Sequence, residues 1–421
     1  MHDALKPWKP TKDDPWDFDT ASHLWRRAGF GARPSKVEET NALPVGEAVR
    51  RMVRGPDKDP ATDELEAIYR SVRGTGTVVT ARAWLITRMV RCEYQLREKM
   101  ALFWHSHFAT SIRKVRDVDW MLRQYRIFLD QGLAPFPRLL DSITRDPAMI
   151  RWLDNDSNSK GQPNENFARE LFELFTLGDG NYTERDIQEA GRAFTGWHIL
   201  HDAFHFSRGQ HDTGVKTVFG ETGRLGGEDV MRLALAQKAC GNFLAAKLLR
   251  FFVEPDPPPE LVRALGAAMR ESGYDLQATL ELLFASRAFF APSARRSLVK
   301  SPLEYVVGTM RALEIPVKVE ELLPDMSAMG QDLLAPPNVK GWPGHRTWIN
   351  TATWLTRVNA AHRLTRGLEP KGGGHQAVDG YGRALLGRVP AHDVRMTLLK
   401  SGTGDRDLVH ALLALPETHL N

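Results

Sequence analysis

Cysteine is almost missing from this chain: Cys92 and Cys240 are the only two in 421 residues. Two thiols exclude a disulfide scaffold and a cysteine-based zinc site, and both fall inside expected helices, where they read as buried free thiols rather than one disulfide. Long apolar runs are missing too. None approaches the roughly 18 residues that a spanning helix needs, so no membrane span is expected. The opening stretch MHDALKPWKPTKDDPWDFD has no apolar segment of the kind a secretory leader carries. As written, the sequence implies a cytoplasmic protein, or a periplasmic or exported one if a leader has been removed. Charge of one sign is scarcely in excess: 56 basic against 52 acidic residues leave a net charge of +4. Arg26-Arg27 and Arg295-Arg296 extend into no basic run, which argues against nucleic acid as a partner. Also missing are GxxxxGK[ST], a GxGxxG following a strand, GxSxG and HExxH. The first three absences argue against a P-loop nucleotidase, a Rossmann dehydrogenase and an ordinary α/β-hydrolase.

What is present is helical periodicity over a composition that supports an ample core, 42% hydrophobic and 26% charged. Residues 1–20 read as an irregular arm laid across the body by Trp8 and Trp16, and 21–421 as a single helical domain. Leu85, Met89, Cys92, Leu96, Met100 and Phe103 recur at steps of three and four, which predicts one long helix from Ala81 to Phe108. Helices are expected over 116–131, 137–145 and 164–177. The last is closed by Gly178 and Gly180 and followed by a capping box on Thr183 and Asp186. Residues 198–220 are rich in Val, Phe, Thr and turn residues and predict a small hairpin or irregular excursion. Beyond it, helices are expected over 227–252, 259–271, 274–287, 301–313, 317–333, 349–365 and 392–414. The Pro/Gly loop 335–348 and a flexible joint at Gly372–Gly374 interrupt them. No βαβ alternation appears, so the fold class is predominantly all-α.

Several groups carry candidate chemistry. Asn166, Arg169, Glu170 and Glu173 share one face of an otherwise apolar helix, and charges on such a helix must be paired, exposed in a cleft, or used. A Glu165–Arg169–Glu173 ion-pair ladder is the structural reading. The functional one takes Glu170 or Glu173 as base or metal ligand, with Arg169 holding an anion. His105 and His107 project about 200° apart on a regular helix. They form a metal or acid/base pair only if the helix frays, and otherwise His107 is a core residue. His198, His201, His205 and His211 crowd the excursion. There His211 and Asp212 suit a metal site completed from the helices, against a plain Asp212–Lys216 pair on a solvated loop. In the loop carrying Asn338, Lys340 and Trp342, the glycines allow the indole to form the wall of a cleft; the alternative is a packed Ω-type loop.

HLWRRAGFGARPS (23–35), KMALFWHSHFATS (99–111), NFARELFELFTLGDGNYTERDIQEAGRAFTGW (166–197), HDTGVKTVFG (211–220), LVKSPLEYVVG (298–308) and PPNVKGWPGHRTWI (336–349) follow one another along the chain. In these stretches the sequence resembles the bacterial domain-of-unknown-function 1800 family. The resemblance implies a largely helical domain with no assigned activity. It also implies an export leader in many relatives, a neighbouring gene for a sulfatase-like partner protein, and a histidine in many relatives where this chain has Phe175.

The expected function is that of an enzyme with a polar cleft between helices 99–111 and 164–177, roofed by the 198–220 and 335–348 loops. His107, Arg169, Glu170, Glu173 and Lys216 would carry acid/base or metal-assisted hydrolysis of an anionic or polymeric substrate. Asn166, Asn338, Lys340 and Trp342 would bind that substrate, and a divalent metal would sit on His105, His107, His211 and Asp212. The alternative is a non-catalytic binding or assembly module acting with a protein or polymer partner. A haem ligated by His107 is a third reading.

Overall fold

The structure, a computed structural model, describes residues 2–316, 318–368, 374–401 and 404–421. Helix accounts for 63% of it, and the all-α expectation holds. The excursion after Trp197 forms two separate antiparallel pairs, Trp197–Leu200 with Ala203–Phe206 and Lys216–Val218 with Glu221–Gly223. Buried apolar side chains from Leu5 to Leu413 make one contiguous cluster. No helix among the described residues is long and apolar enough to cross a membrane. Near the N-terminus Trp8 stacks on Phe290 at 4.4 Å, and Trp16 donates from Nε1 to the Leu43 carbonyl at 2.9 Å, ahead of the helix Phe18–Ala28.

Where local signals were explicit, the elements follow them. Thr183 with Asp186 and Ser301 with Glu304 both form capping boxes, and Pro302 takes the first turn of its helix. Where a break has a tertiary cause, expectation and structure differ. The helix expected over 81–108 is two, Val78–Arg91 and Gln95–His107. The chain turns extended at Cys92, and Arg311 donates from Nη1 to the carbonyls of Met89, Val90 and Cys92, which the first helix leaves without partners. The 227–252 stretch also divides, into Gly227–Ala236 and Lys238–Phe252. The 317–333 stretch reduces to a short 3-10 turn and Leu323–Ala328. Three helices occupy the C-terminal part: His375–Leu386, His392–Ser401 and Asp405–Leu413. Val317 and, apart from Gly374, the expected joint at 372–374 lie outside the described residues.

Three helices bring the site together. Lys99 on Gln95–His107 and Glu304 on Pro302–Leu313 form an ion pair in which the lysine is 1% exposed. The ammonium also sits 4.9 Å from the Phe30 ring centre and 5.5 Å from that of Phe251. The Lys238–Phe252 helix is set by its contact with Pro259–Glu271, where two glycines meet. A Cβ on Gly241 would lie 2.5 Å from the Gly266 carbonyl oxygen, and one on Gly266 would lie 2.8 Å from the Asn242 nitrogen. No other residue fits that crossing without moving the helix.

The two halves of the broken helix are joined by Arg88 and Glu98, 2.6 Å apart and only 4% and 1% exposed. Removing one partner leaves a buried charge uncompensated. Glu98→Ala is therefore expected to cost about 3–5 kcal/mol, read as a lower denaturant midpoint. A loss under about 1 kcal/mol, the range of a surface pair, would contradict this assignment.

Candidate functional site

The polar-striped helix is regular only from Asn166 to Glu170; Leu171–Thr176 is a π-helix. Its wide turn is held by Thr176, whose hydroxyl donates to the Leu171 carbonyl at 2.6 Å, and by the Leu177 N–H, which donates to the Phe172 carbonyl at 2.8 Å. Such turns are uncommon and concentrate at functional sites. Like any helix end, this one leaves carbonyls that need donors. His107 donates from Nε2 to the Phe175 carbonyl at 3.1 Å, and Lys247 donates from Nζ to the Leu174 carbonyl at 3.1 Å. With its proton committed to Nε2, His107 presents a bare Nδ1, which accepts from Lys247 at 3.2 Å.

Lys247 opens into a cleft of about 310 Å³. Its walls are the His107 helix, the Lys247 helix, the start of the Pro302 helix and the Lys340–Trp348 roof. Phe103, Phe251, Trp342 and Trp348 supply apolar surface; Lys247, Arg250, Lys340 and Glu304 supply charge, while burial holds His345 below the usual imidazole range. Lys247, Arg250 and Phe251 stand at steps of three and four, hence on one face of their helix. Burial, with a smaller contribution from Arg250, pushes the Lys247 ammonium down to about 8. Burial, then Lys247, holds His107 well below the usual imidazole range, so it is neutral. Among the described residues no carboxylate pairs with Lys247, and Arg250 has neither ion pair nor hydrogen bond. Glu304 is already committed to Lys99 and to the Ser301 N–H at 2.7 Å.

The roof is anchored from below. His105 Nε2 accepts from the Leu334 N–H at 3.0 Å, and the Leu334 carbonyl accepts from the Ile112 N–H at 2.8 Å. These bonds hold Leu334 at a φ of 62°, uncommon for a residue with a side chain. Gly341, at φ 81°, comes so close to the His107 helix that a Cβ would lie 2.4 Å from the Ser106 carbonyl oxygen. Asn338 accepts from the Lys340 N–H at 2.9 Å, and the Trp342 ring lies 5.3 Å from that of His105. Lys340 reaches back across the rim to Glu173 at 3.6 Å.

The expected site residues thus divide into groups. His107, Lys340 and Trp342 line the cleft. Asn338 shapes its roof and Glu173 meets its rim, where Tyr182 also donates to it at 3.4 Å. Glu170 is half-buried with no hydrogen bond among the described residues, and burial and then Glu173 raise its carboxyl above the usual range. Arg169 is not laddered to Glu173. It pairs with Glu165 at 3.4 Å and grips Glu184 with both terminal nitrogens at 2.9 and 2.7 Å, clamping its helix to the next. Asn166 donates to the Leu153 carbonyl at 3.0 Å and ties down a loop.

The 198–220 excursion does not roof the cleft; the lining comes from the Lys247 helix, which the sequence did not single out. Asp212 pairs with Arg192 at 2.8 Å, Lys216 donates to the Asp212 and Gly214 carbonyls, and His211 Nδ1 lies 2.9 Å from the Thr195 carbonyl. His105 and His107 diverge because the helix stays regular through both. His105 faces Tyr125, Phe128 and Trp342, and burial takes it down to about 3. The expected His105–His107–His211–Asp212 metal set is therefore not assembled, and no group of three or more His, Cys, Asp or Glu residues placed to hold a metal occurs among the described residues.

A family model described as a protein of unknown function, DUF1800, matches residues 23–420. No curated protein and no solved structure matches the chain.

The depressed pKa of the Lys247 amine makes stability depend on pH. Below about pH 8 the amine is protonated folded and unfolded, and the desolvation penalty is present in full. Between about 8 and the ordinary lysine value near ~10.4 the unfolded chain binds more protons, so stability rises with pH. Denaturation of wild type and Lys247→Met at pH 7 and pH 9.5 is expected to show the wild type gaining relative to the variant at the higher pH. An unchanged difference would contradict the burial of this ammonium.

Proposed function

The chain belongs to the DUF1800 family, and we propose that this member binds a small organic acid in the Lys247 cleft. One observation carries the reading. A largely desolvated ammonium and, one helical turn away on the cleft wall, an exposed guanidinium stand with no carboxylate paired to either among the described residues. Desolvated charge is costly until a counter-ion arrives, and an anionic ligand supplies one. Lys340 on the roof adds positive potential, and Trp342 with Trp348 offers flat apolar surface to the ligand's body. The ligand class is then a carboxylate or phosphate attached to a planar or apolar group.

A second reading adds catalysis beside the cleft, with Glu170, which does not line it but lies within electrostatic reach of Lys340, as acid/base group in hydrolysis of the bound acid. It is favoured by the raised, unbonded Glu170 carboxyl beside Glu173, the residue that Lys340 links to the rim. No metal enters this version.

Calorimetric titration with benzoate and with the neutral benzamide tests the binding reading. Benzoate is expected to bind and benzamide to bind at least about tenfold more weakly. Arg250→Met is expected to weaken benzoate by about 10–100-fold, the worth of a charge-assisted hydrogen bond. Equal binding of the two probes, or an Arg250→Met variant that binds like wild type, would overturn it. For the second reading, hydrolysis of p-nitrophenyl acetate or phosphate should fall at least about tenfold in Glu170→Gln. A rate no faster than buffer leaves a binding cleft alone.

A further inference from the structure

We propose that Lys247 is an amine nucleophile that forms an imine with a carbonyl-bearing ligand of the cleft. A neutral amine has two N–H bonds and one lone pair. Both acceptors beside Nζ, the Leu174 carbonyl at 3.1 Å and His107 Nδ1 at 3.2 Å, take N–H. Neither competes for the lone pair. His107 cannot turn donor towards Lys247, because its proton is held by the Phe175 carbonyl. The remaining tetrahedral position of Nζ is left to the cleft that this side chain lines. The Phe243 ring backs the amine at 4.7 Å, and no carboxylate pairs with it among the described residues to lock it as an ammonium. Burial and the neighbouring Arg250 favour the neutral form.

Other buried lysines lack this combination. Lys99 is paired with Glu304, Lys216 donates to two backbone carbonyls, and Lys300 donates to the Thr418 carbonyl. None of these three lines the cleft.

In the step itself, the Lys247 lone pair adds to the ligand carbonyl carbon and forms a C–N bond. The carbonyl oxygen takes up a proton, and the amine gives one up to water. The carbinolamine then loses its hydroxyl group together with the remaining N–H proton as water, and the C=N bond replaces the broken C–O bond. No redox partner is needed. Arg250, one turn along the same face, is placed to hold an acid group on the same ligand, so the favoured class is an oxo acid or an aldehyde acid. This class deepens the anion-binding reading and rests on it, whereas the amine chemistry does not.

The test uses the full chain with glyoxylate and cyanoborohydride, followed by peptide mapping of the reduced adduct. Lys247 is expected to be labelled ahead of every other lysine, with half-maximal rate near pH 8. Arg250→Met is expected to slow glyoxylate labelling at least about tenfold while leaving labelling by neutral formaldehyde intact, in line with one lost charge-assisted contact. Labelling spread over surface lysines with Lys247 unmodified, or a rate still climbing towards ~10.4 as for an ordinary lysine, would overturn the proposal. Lys247→Arg keeps the charge and removes the nucleophile, which separates the two readings. If benzoate binds both wild type and Lys247→Arg but wild type forms no adduct, the imine fails alone. If the adduct forms but benzoate binds neither protein, the anion reading fails alone.

Discussion

The end of the π-turn at Leu171–Thr176 is the constraint on which the site depends. A helix that widens and stops inside a protein must find donors for its last carbonyls, or leave them buried and unbonded at a cost of about 1–3 kcal/mol each. Here the donors are the side chains of two other helices, His107 for Phe175 and Lys247 for Leu174. Satisfying those carbonyls fixes the tautomer of the histidine and draws a lysine into apolar surroundings beside Phe243 and Phe251. The carbonyl end of a helix also favours a cation, which offsets part of the desolvation. What remains is an amine held in place by neutral acceptors, with its charge left for something outside the chain to balance.

The surrounding elements serve that arrangement. The glycine contact between Gly241 and Gly266 sets the height of the Lys247 helix, and the Lys99–Glu304 pair ties the His107 helix to the Pro302 helix. The roof rests on His105, which receives the Leu334 N–H, and on Gly341, the residue that allows the loop to touch the Ser106 carbonyl. His105 and His107, adjacent but one in the sequence, therefore do separate jobs on opposite sides of one helix: one carries the roof, the other orders the amine.

The helical class, the arm held by Trp8 and Trp16, the capping boxes and the Trp-bearing roof could all be read from periodicity and turn residues, because those signals are local. The break at Cys92 could not: the donors that make it affordable sit on Arg311, more than two hundred positions away, and no proline or glycine marks it. The polar stripe was visible but its use was only partly so. Glu173 meets Lys340 at the rim, whereas Arg169 and Asn166 are taken up in clamping neighbouring segments. The histidine-rich excursion drew attention by composition, yet its charged groups are absorbed by Arg192 and by backbone carbonyls. Lys247 is hard to read from the sequence, because a single lysine in an amphipathic helix is ordinarily solvated. The step of three to Arg250 and of four to Phe251 was the available signal, and only the tertiary fold shows that this face looks into a cleft.

Titration of Lys247 followed by NMR of lysine labelled at the ε-carbon, with Lys247→Arg used to assign the resonance, tests the account most directly. The account predicts a midpoint near 8 in the ligand-free protein and an upward move when benzoate occupies the cleft, since an anion stabilises the charged form. A midpoint near the ordinary ~10.4 that ignores benzoate would contradict it.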